Sequence, residues 1–135
     1  MTIEQVQVGV KVLLENERGE FLFLHRKEAH PDGTGIRWDI PGGRITPGEP
    51  TLEALNREVH EETGLALTST PRLLAAQDII VPEKGFHVVR LTYLAKVSGE
   101  PNISHEHQNH QWATLEEGRK LHVDRFLQEV LEAEG

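Results

Sequence analysis

The chain has 135 residues, 37% of them hydrophobic, no cysteine and a formal net charge of −8, which bounds it to a single domain, residues 1–135, large enough to bury a core. Without cysteine there is no disulfide framework, no thiolate zinc site and no cysteine nucleophile, and a reducing interior is compatible with it. The acidic balance argues against passive binding to nucleic acid polymers or anionic membrane; the opening MTIEQVQVGVKVLL lacks a basic leader and its apolar run is broken by Gln7 and Lys11, so no signal peptide or membrane span is expected and a cytoplasmic location is the default.

Val6, Val8, Val10 and Val12 alternate with polar or small residues, as a half-buried strand should. Asn16-Glu17-Arg18-Gly19 turns the chain, and Glu20 to His25 returns as a second strand. Lys27 to Arg37, with Pro31, Asp32, Gly33 and Gly35, reads as a long loop. Trp38-Asp39-Ile40-Pro41-Gly42-Gly43 is a short strand entering a Gly-Gly turn, which leaves backbone groups open to a ligand. The spacing then predicts a helix from Pro50 to Thr63, with Pro in its first turn, Gly64 just past its end, and Leu52, Leu55 and Val59 as its buried stripe. Leu73 to Val81 and Phe86 to Val97 read as a strand pair joined by Pro82-Glu83-Lys84-Gly85, with Val89, Leu91, Tyr93, Ala95 and Val97 as the apolar register. Gly99 to Asn109 is polar loop, Gln111 to Ala113 a short strand, and Val123 to Leu131 a closing amphipathic helix.

On the central helix Glu58, Glu61 and Glu62 stand at i, i+3 and i+4 and share one face. Like charges at that spacing repel, and the last turn of a helix disfavours anions. Acidic helix faces are usually only solvated surface, but here a Gly-Gly turn leads straight into the cluster, and a cation would reverse the sign of the repulsion. Clustered carboxylates are the ligands Mg²⁺ or Mn²⁺ prefers, and Mg²⁺ keeps waters while reaching substrate phosphates.

Gly43 is followed at fixed spacing by Glu49, Arg57, Glu58, Val59, Glu61, Glu62, Gly64 and Leu65. This stretch, GRITPGEPTLEALNREVHEETGL, resembles the complete Nudix box. The resemblance implies an α/β fold, an α/β/α sandwich around a mixed β-sheet, and a metal-dependent pyrophosphohydrolase. It also implies that Glu61 and Glu62, with the Gly42 carbonyl, hold Mg²⁺ (Mn²⁺ as the alternative), that Glu58 is a further ligand or the base, and that Arg57 pairs with Glu49 as scaffolding.

Outside the box, Arg26 matches a position where many family members carry a phosphate-contacting Arg, although a solvated strand-end Arg is the plain alternative. The segment His105 to Trp112 resembles the downstream loop in which a Glu or His reaches metal or water, which makes Glu106 a metal ligand or the rival base. His110 and Gln111 depart from the commoner Tyr and Arg there, so base contacts do not carry over. His105, His107 and His110 would suit zinc only weakly without a Cys or carboxylate partner. Trp112 is a candidate to stack on a base, Trp38 a core residue, and His60 has no assigned role. Arg90, opposite the apolar register of its strand, is a second candidate cation for an anionic substrate.

The expected substrate is a small nucleotide, a nucleoside diphosphate linked to another group such as a nucleoside triphosphate, damaged ones included. ADP-ribose, nucleotide sugars and dinucleoside polyphosphates are the alternatives, and Pro82 does not fall at the proline associated with ADP-ribose hydrolysis. A sensing domain that kept the fold without the chemistry is the other class, but such relatives usually lose box carboxylates. The expected partners are therefore a small nucleotide only, without nucleic acid polymer or membrane, in a monomer or homodimer.

Overall fold

A ten-residue strand rich in valine, β1 (Val6–Glu15), organises the molecule because it pairs on both sides. The computed structural model describes residues 3, 5–29 and 34–134; of the expected loop, Pro31, Asp32 and Gly33 lie outside the described residues. The turn at Asn16 to Gly19, held by the Asn16 side chain accepting from the N–H groups of Arg18 and Glu20, leads into β2 (Phe21–Arg26). Then follow β3 (Trp38–Asp39), β4 (Gly42–Arg44), helix α1 (Thr51–Thr63), β5 (Arg72–Val81), β6 (Phe86–Lys96), β7 (His107–Ala113) and the helices α2 (Leu115–Gly118) and α3 (Arg125–Glu134).

The seven strands form one mixed sheet in the order β3-β2-β1-β6-β5, with β4 added on β1 and β7 on β2. The β1–β6 pairing is parallel from Val6↔His87 to Glu15↔Lys96; the other pairings are antiparallel. One face packs Val10, Val12, Leu14, Leu22, Tyr93 and Ala95 against Ala54, Leu55 and Val59 of α1. The other packs Leu13, Phe21, Phe23 and Ile40 against Leu127, Val130 and Leu131 of α3. The two helices thus lie on opposite faces, which is the sandwich expected from the sequence. Because both faces are covered, β1 is fully buried from Val12 to Leu14 rather than half-buried. Among the described residues no helix is long and apolar enough to cross a membrane.

Several boundaries differ from the sequence reading. Pro50 has extended backbone (φ −61°, ψ 147°) and precedes α1 instead of forming its first turn. Gly64 ends the helix in the left-handed region (φ 70°), its N–H donating to His60 O. Leu55 and Val59 are buried, but Leu52 is 41% exposed: it lies in the first turn, and burial begins only at Ala54. The strand expected at Gln111 starts at His107, because β7 is held by backbone pairing along β2 and needs no apolar alternation to form. The short α2 was not anticipated, although Thr114 and Glu117 cap it reciprocally. Trp38 packs on the α3-side core and meets the His25 ring edge-on at 4.7 Å, as a core residue would.

Candidate active site

The pairing of β4 with β1 sets the Gly42-Gly43 turn against the last two turns of α1. Gly42 has φ 147°, and a Cβ there would fall 2.0 Å from Val10 O, so only glycine closes the ladder at this point. A Cβ on Gly43 would fall 2.7 Å from the Glu58 carboxylate, which therefore lies directly on the glycine backbone. The Gly42 N–H donates to Glu62 Oε1 at 3.1 Å.

Arg57 orders the remaining carboxylates. Its Nε and Nη2 form a two-pronged contact with Glu49 at 2.7 and 3.0 Å, the pairing expected from the sequence. Its Nη1 donates to Glu58 at 2.9 Å and to Glu61 at 3.3 Å. Glu49 also accepts from the Thr46 N–H at 3.0 Å. These bonds, Arg57 first, hold the Glu49 carboxyl down at about 2. Glu62 behaves in the opposite way: burial pushes its carboxyl up to about 7, Glu58 and Asp39 add to the rise, and the Lys11 charge and the Gly42 N–H oppose it.

Glu49, Arg57, Glu58, Glu61, Glu62 and Gly42 are thus brought to one turn. Among the described residues no three His, Asp or Glu side chains already converge as a finished metal cage. The donor set nevertheless fits a hard divalent ion. It offers oxygen only, its carboxylates carry more negative charge than Arg57 balances, and the cradle over Gly43 would be filled by any Cβ; Mg²⁺ also needs only one or two carboxylates beside water and phosphate.

Beside this turn opens a cleft of about 200 Å³, lined among others by Lys11, Arg26, Asp39, Arg44, Phe86 and Arg90. Most of its cations are already engaged. Lys11 Nζ donates to Asp39 Oδ2 at 2.8 Å and to Ile40 O at 3.3 Å. Burial works to raise the Asp39 carboxyl, but Lys11, Arg90 and the Ile40 N–H outweigh it and hold it below the usual range. Arg90 donates to both oxygens of Asp124 at 3.0 and 2.8 Å, and Arg44 stacks over the Phe86 ring and bonds Gln7. The Arg26 guanidinium, among the described residues, has no bonded partner, and it lines both this cleft and a neighbouring pocket of about 250 Å³ that contains Glu106.

Among the described residues the remaining candidates make no side-chain bond to the carboxylates of the turn, although Ser104 N–H donates to Glu62 O at 3.0 Å and so attaches the loop that carries Glu106 to the end of α1. Glu106 is tied through its main-chain oxygen to Lys27 N at 3.1 Å. Trp112 packs on the α1-side core with its indole N–H on Glu100 at 3.2 Å, and it does not line the cleft. His107 is buried against Ser104 and His110 stands near Glu100, so the histidines are not gathered for zinc. Sequence reasoning missed Lys11, Asp39, Arg44 and Asp124. The signal for Lys11 was a charge inside a strand that buries its neighbours.

Fold and turn together define an α/β domain with an acidic helix docked behind a double glycine. Residues 5–133 match the family model described as NUDIX domain, and the chain belongs to that family. It is 38% identical over 84 residues to mouse "8-oxo-dGDP phosphatase NUDT18", covering 62% of this chain and 23% of that protein. It is 33% identical to the mouse "Bis(5'-nucleosyl)-tetraphosphatase [asymmetrical]", covering 80% of this chain and 73% of that one. The chain spans 23 to 34% of the length of the first three curated relatives. Among solved structures, a MutT protein from Methanosarcina mazei superposes with a TM-score of 0.83 at 27% identity, covering 98% of this chain and 95% of that one. A MutT NUDIX hydrolase from Burkholderia pseudomallei gives 0.80 at 32%, covering 96% and 98%.

Proposed function

We propose that this protein is a Mg²⁺-dependent hydrolase that cleaves the diphosphate bond of a small nucleotide, a nucleoside triphosphate or a damaged form of one. The observation that carries this reading is the placement of Glu58, Glu61 and Glu62 around the Gly42-Gly43 turn with one guanidinium among them. The relatives named as an 8-oxo-dGDP phosphatase and a dinucleoside tetraphosphatase support nucleotide diphosphate chemistry.

In this reading Glu61, Glu62 and the Gly42 carbonyl would hold the ion, and Glu58 serves as the base rather than as a further ligand. A divalent ion held there would supply charge neutralisation at the diphosphate oxygens and so favour in-line attack by water. Glu58 accepts the proton of the attacking water, its carboxylate fixed by Arg57 and by contact with Gly43. Glu49 keeps Arg57 in place. Arg26, free of an internal partner among the described residues, meets a substrate phosphate, and Glu106 in the adjoining pocket is the rival for the base. The protein acts in the cytoplasm on free nucleotides.

The test is metal-dependent release of phosphate or pyrophosphate from a panel of triphosphates, nucleotide sugars and dinucleotides. No turnover of any member in Mg²⁺ or Mn²⁺ would assign the fold to nucleotide sensing. Against a 5′-triphosphorylated RNA of about 20 nucleotides, the nucleoside triphosphate should be cleaved faster at low and moderate salt, because an acidic surface repels a phosphate backbone. Faster cleavage of the RNA at both salts would overturn the small-substrate assignment.

A further inference from the structure

Among the described residues β5 has a strand neighbour on one side only, so the backbone groups of alternate residues along this ten-residue strand face outward. Natural edges of this length are usually blunted by proline, lysine or a covering loop. This one has a register shift at Leu73/Ala75 and the charges of Arg72 and Asp78 but neither proline nor lysine, and its Leu73 and Ile80 are 51% and 50% exposed, two of the four large hydrophobic side chains so exposed among the described residues. Both stand on the same face, since their partners on β6 are Tyr93 and His87. We propose that β5 is the pairing edge for a second copy of this chain, the two β5 strands running antiparallel about a two-fold axis at Gln77.

The partner is identified by register and charge. A two-fold axis perpendicular to the sheet must pass a residue opposite its own copy. With Gln77 on the axis, Ala76 faces Asp78 and Ala75 faces Ile79 of the second copy. A register shift between Leu73 and Ala75 makes Leu74 an extra residue. Leu73 then comes opposite Ile80, and the symmetry makes this match twice. Axes at the neighbouring residues fail: Asp78 would oppose Asp78, and an axis at Ala76 would set Leu73 against Asp78. Charge agrees, because β5 carries one cation, Arg72, and one anion, Asp78, so the contact joins two neutral edges of a chain whose net charge is −8. It also sets Arg72 alongside the exposed Glu83 end of its copy.

Sedimentation equilibrium from roughly 1 to 100 μM tests this across the range of modest affinities. The wild type should reach the dimer mass. Leu73→Lys alone and Ile80→Glu alone should each weaken dimerisation by tenfold or more, with the melting temperature little changed at a concentration where the wild type is monomeric, since both side chains are half exposed in the monomer. The double variant should restore it, as each lysine then faces a glutamate. Because the chain has no cysteine, Ala76→Cys combined with Asp78→Cys should give a disulfide-linked dimer on oxidation, and Ala76→Cys alone should not. A wild type that stays monomeric at 100 μM overturns the proposal, even if an unrelated extended peptide binds the edge. A double variant no better than the single ones, or cross-linking by Ala76→Cys alone, overturns the register.

Discussion

The turn around Arg57 and the cleft around Arg90 handle charge in opposite ways. At the turn one guanidinium serves Glu49, Glu58 and Glu61, with Glu62 close by, and negative charge is left over. In the cleft Lys11 and Arg90 each have a carboxylate of their own, Asp39 and Asp124, with side chains no more than 17% exposed. The first arrangement is incomplete without a cation from outside. The second is closed, and leaves recognition there to shape, to Phe86 and to the cations without a carboxylate, Arg26 and Arg44. A surplus of one sign at one end and internal pairing at the other would orient the proposed substrate with its phosphates toward the turn.

The comparison breaks most sharply at Glu58. Glu58→Gln should lower turnover by about 10²-fold or more, the usual contribution of a positioned base, with little change in melting temperature. If Glu106→Gln gives the larger loss in parallel assays, the base is Glu106. On the closed side, Asp124 holds Arg90 and also accepts from the Leu127 N–H at the start of α3. Asp124→Ala should cost about 1 to 3 kcal/mol by urea unfolding, since it removes one partner of a part-buried charged hydrogen bond together with a helix cap. Asp124→Asn keeps the helix cap while losing the charge that faces Arg90, and should cost clearly less; equal losses would mean that the cap at Leu127 contributes nothing and the pairing with Arg90 carries the whole effect.

The surplus at the turn should show as a pH effect. Below 4.5 the Glu62 carboxyl is protonated in both folded and unfolded chains, and between there and about 7 only the unfolded chain has lost its proton. Stability of the metal-free protein therefore falls as pH rises through that window, by about 3 kcal/mol in full. His107 works in the opposite sense below its ordinary 6.5, because burial lowers its value. The clean measurement is the difference in unfolding free energy between wild type and Glu62→Gln from pH 5 to 8, and a flat difference would refute the assignment of the slope to Glu62. A smaller effect follows from the ion itself. Mg²⁺ at a hundredfold excess over its Kd should stabilise the wild type by about 2.7 kcal/mol, and Glu61→Ala with Glu62→Ala should abolish the shift. A full response in that double variant would put the ion elsewhere.

Local signals carried most of the fold. The α1 boundaries were legible because Pro50 and Gly64 restrict the backbone at those points, and β1, β2, β5 and β6 because their hydrophobic patterns mark them. The turn was legible too, since every residue in it lies within one stretch at fixed spacing. What stayed hidden was fixed by partners distant in sequence: Lys11 meets Asp39 only once β1 and β3 share a sheet, Arg90 meets Asp124 only once α3 has docked, and the polar run from His107 becomes a strand only because β2 lies beside it. The α2 signal was the exception. Thr114 followed by Glu117 is a capping box that could have been found by inspection.

The parallel pairing of β1 with β6 joins Val6 to His87 and Glu15 to Lys96, so β2, β3, β4, α1 and β5 all lie in the loop that this pairing closes. Closing so large a loop costs chain entropy before many contacts repay it, and folds dominated by such pairings reach the native state slowly. Until β6 arrives, one side of β1 has no partner, although the Gly42-Gly43 turn rests on the other side of that strand. A nascent chain released before β6 is complete would expose the valine-rich edge of β1, the segment from which misassembly would start.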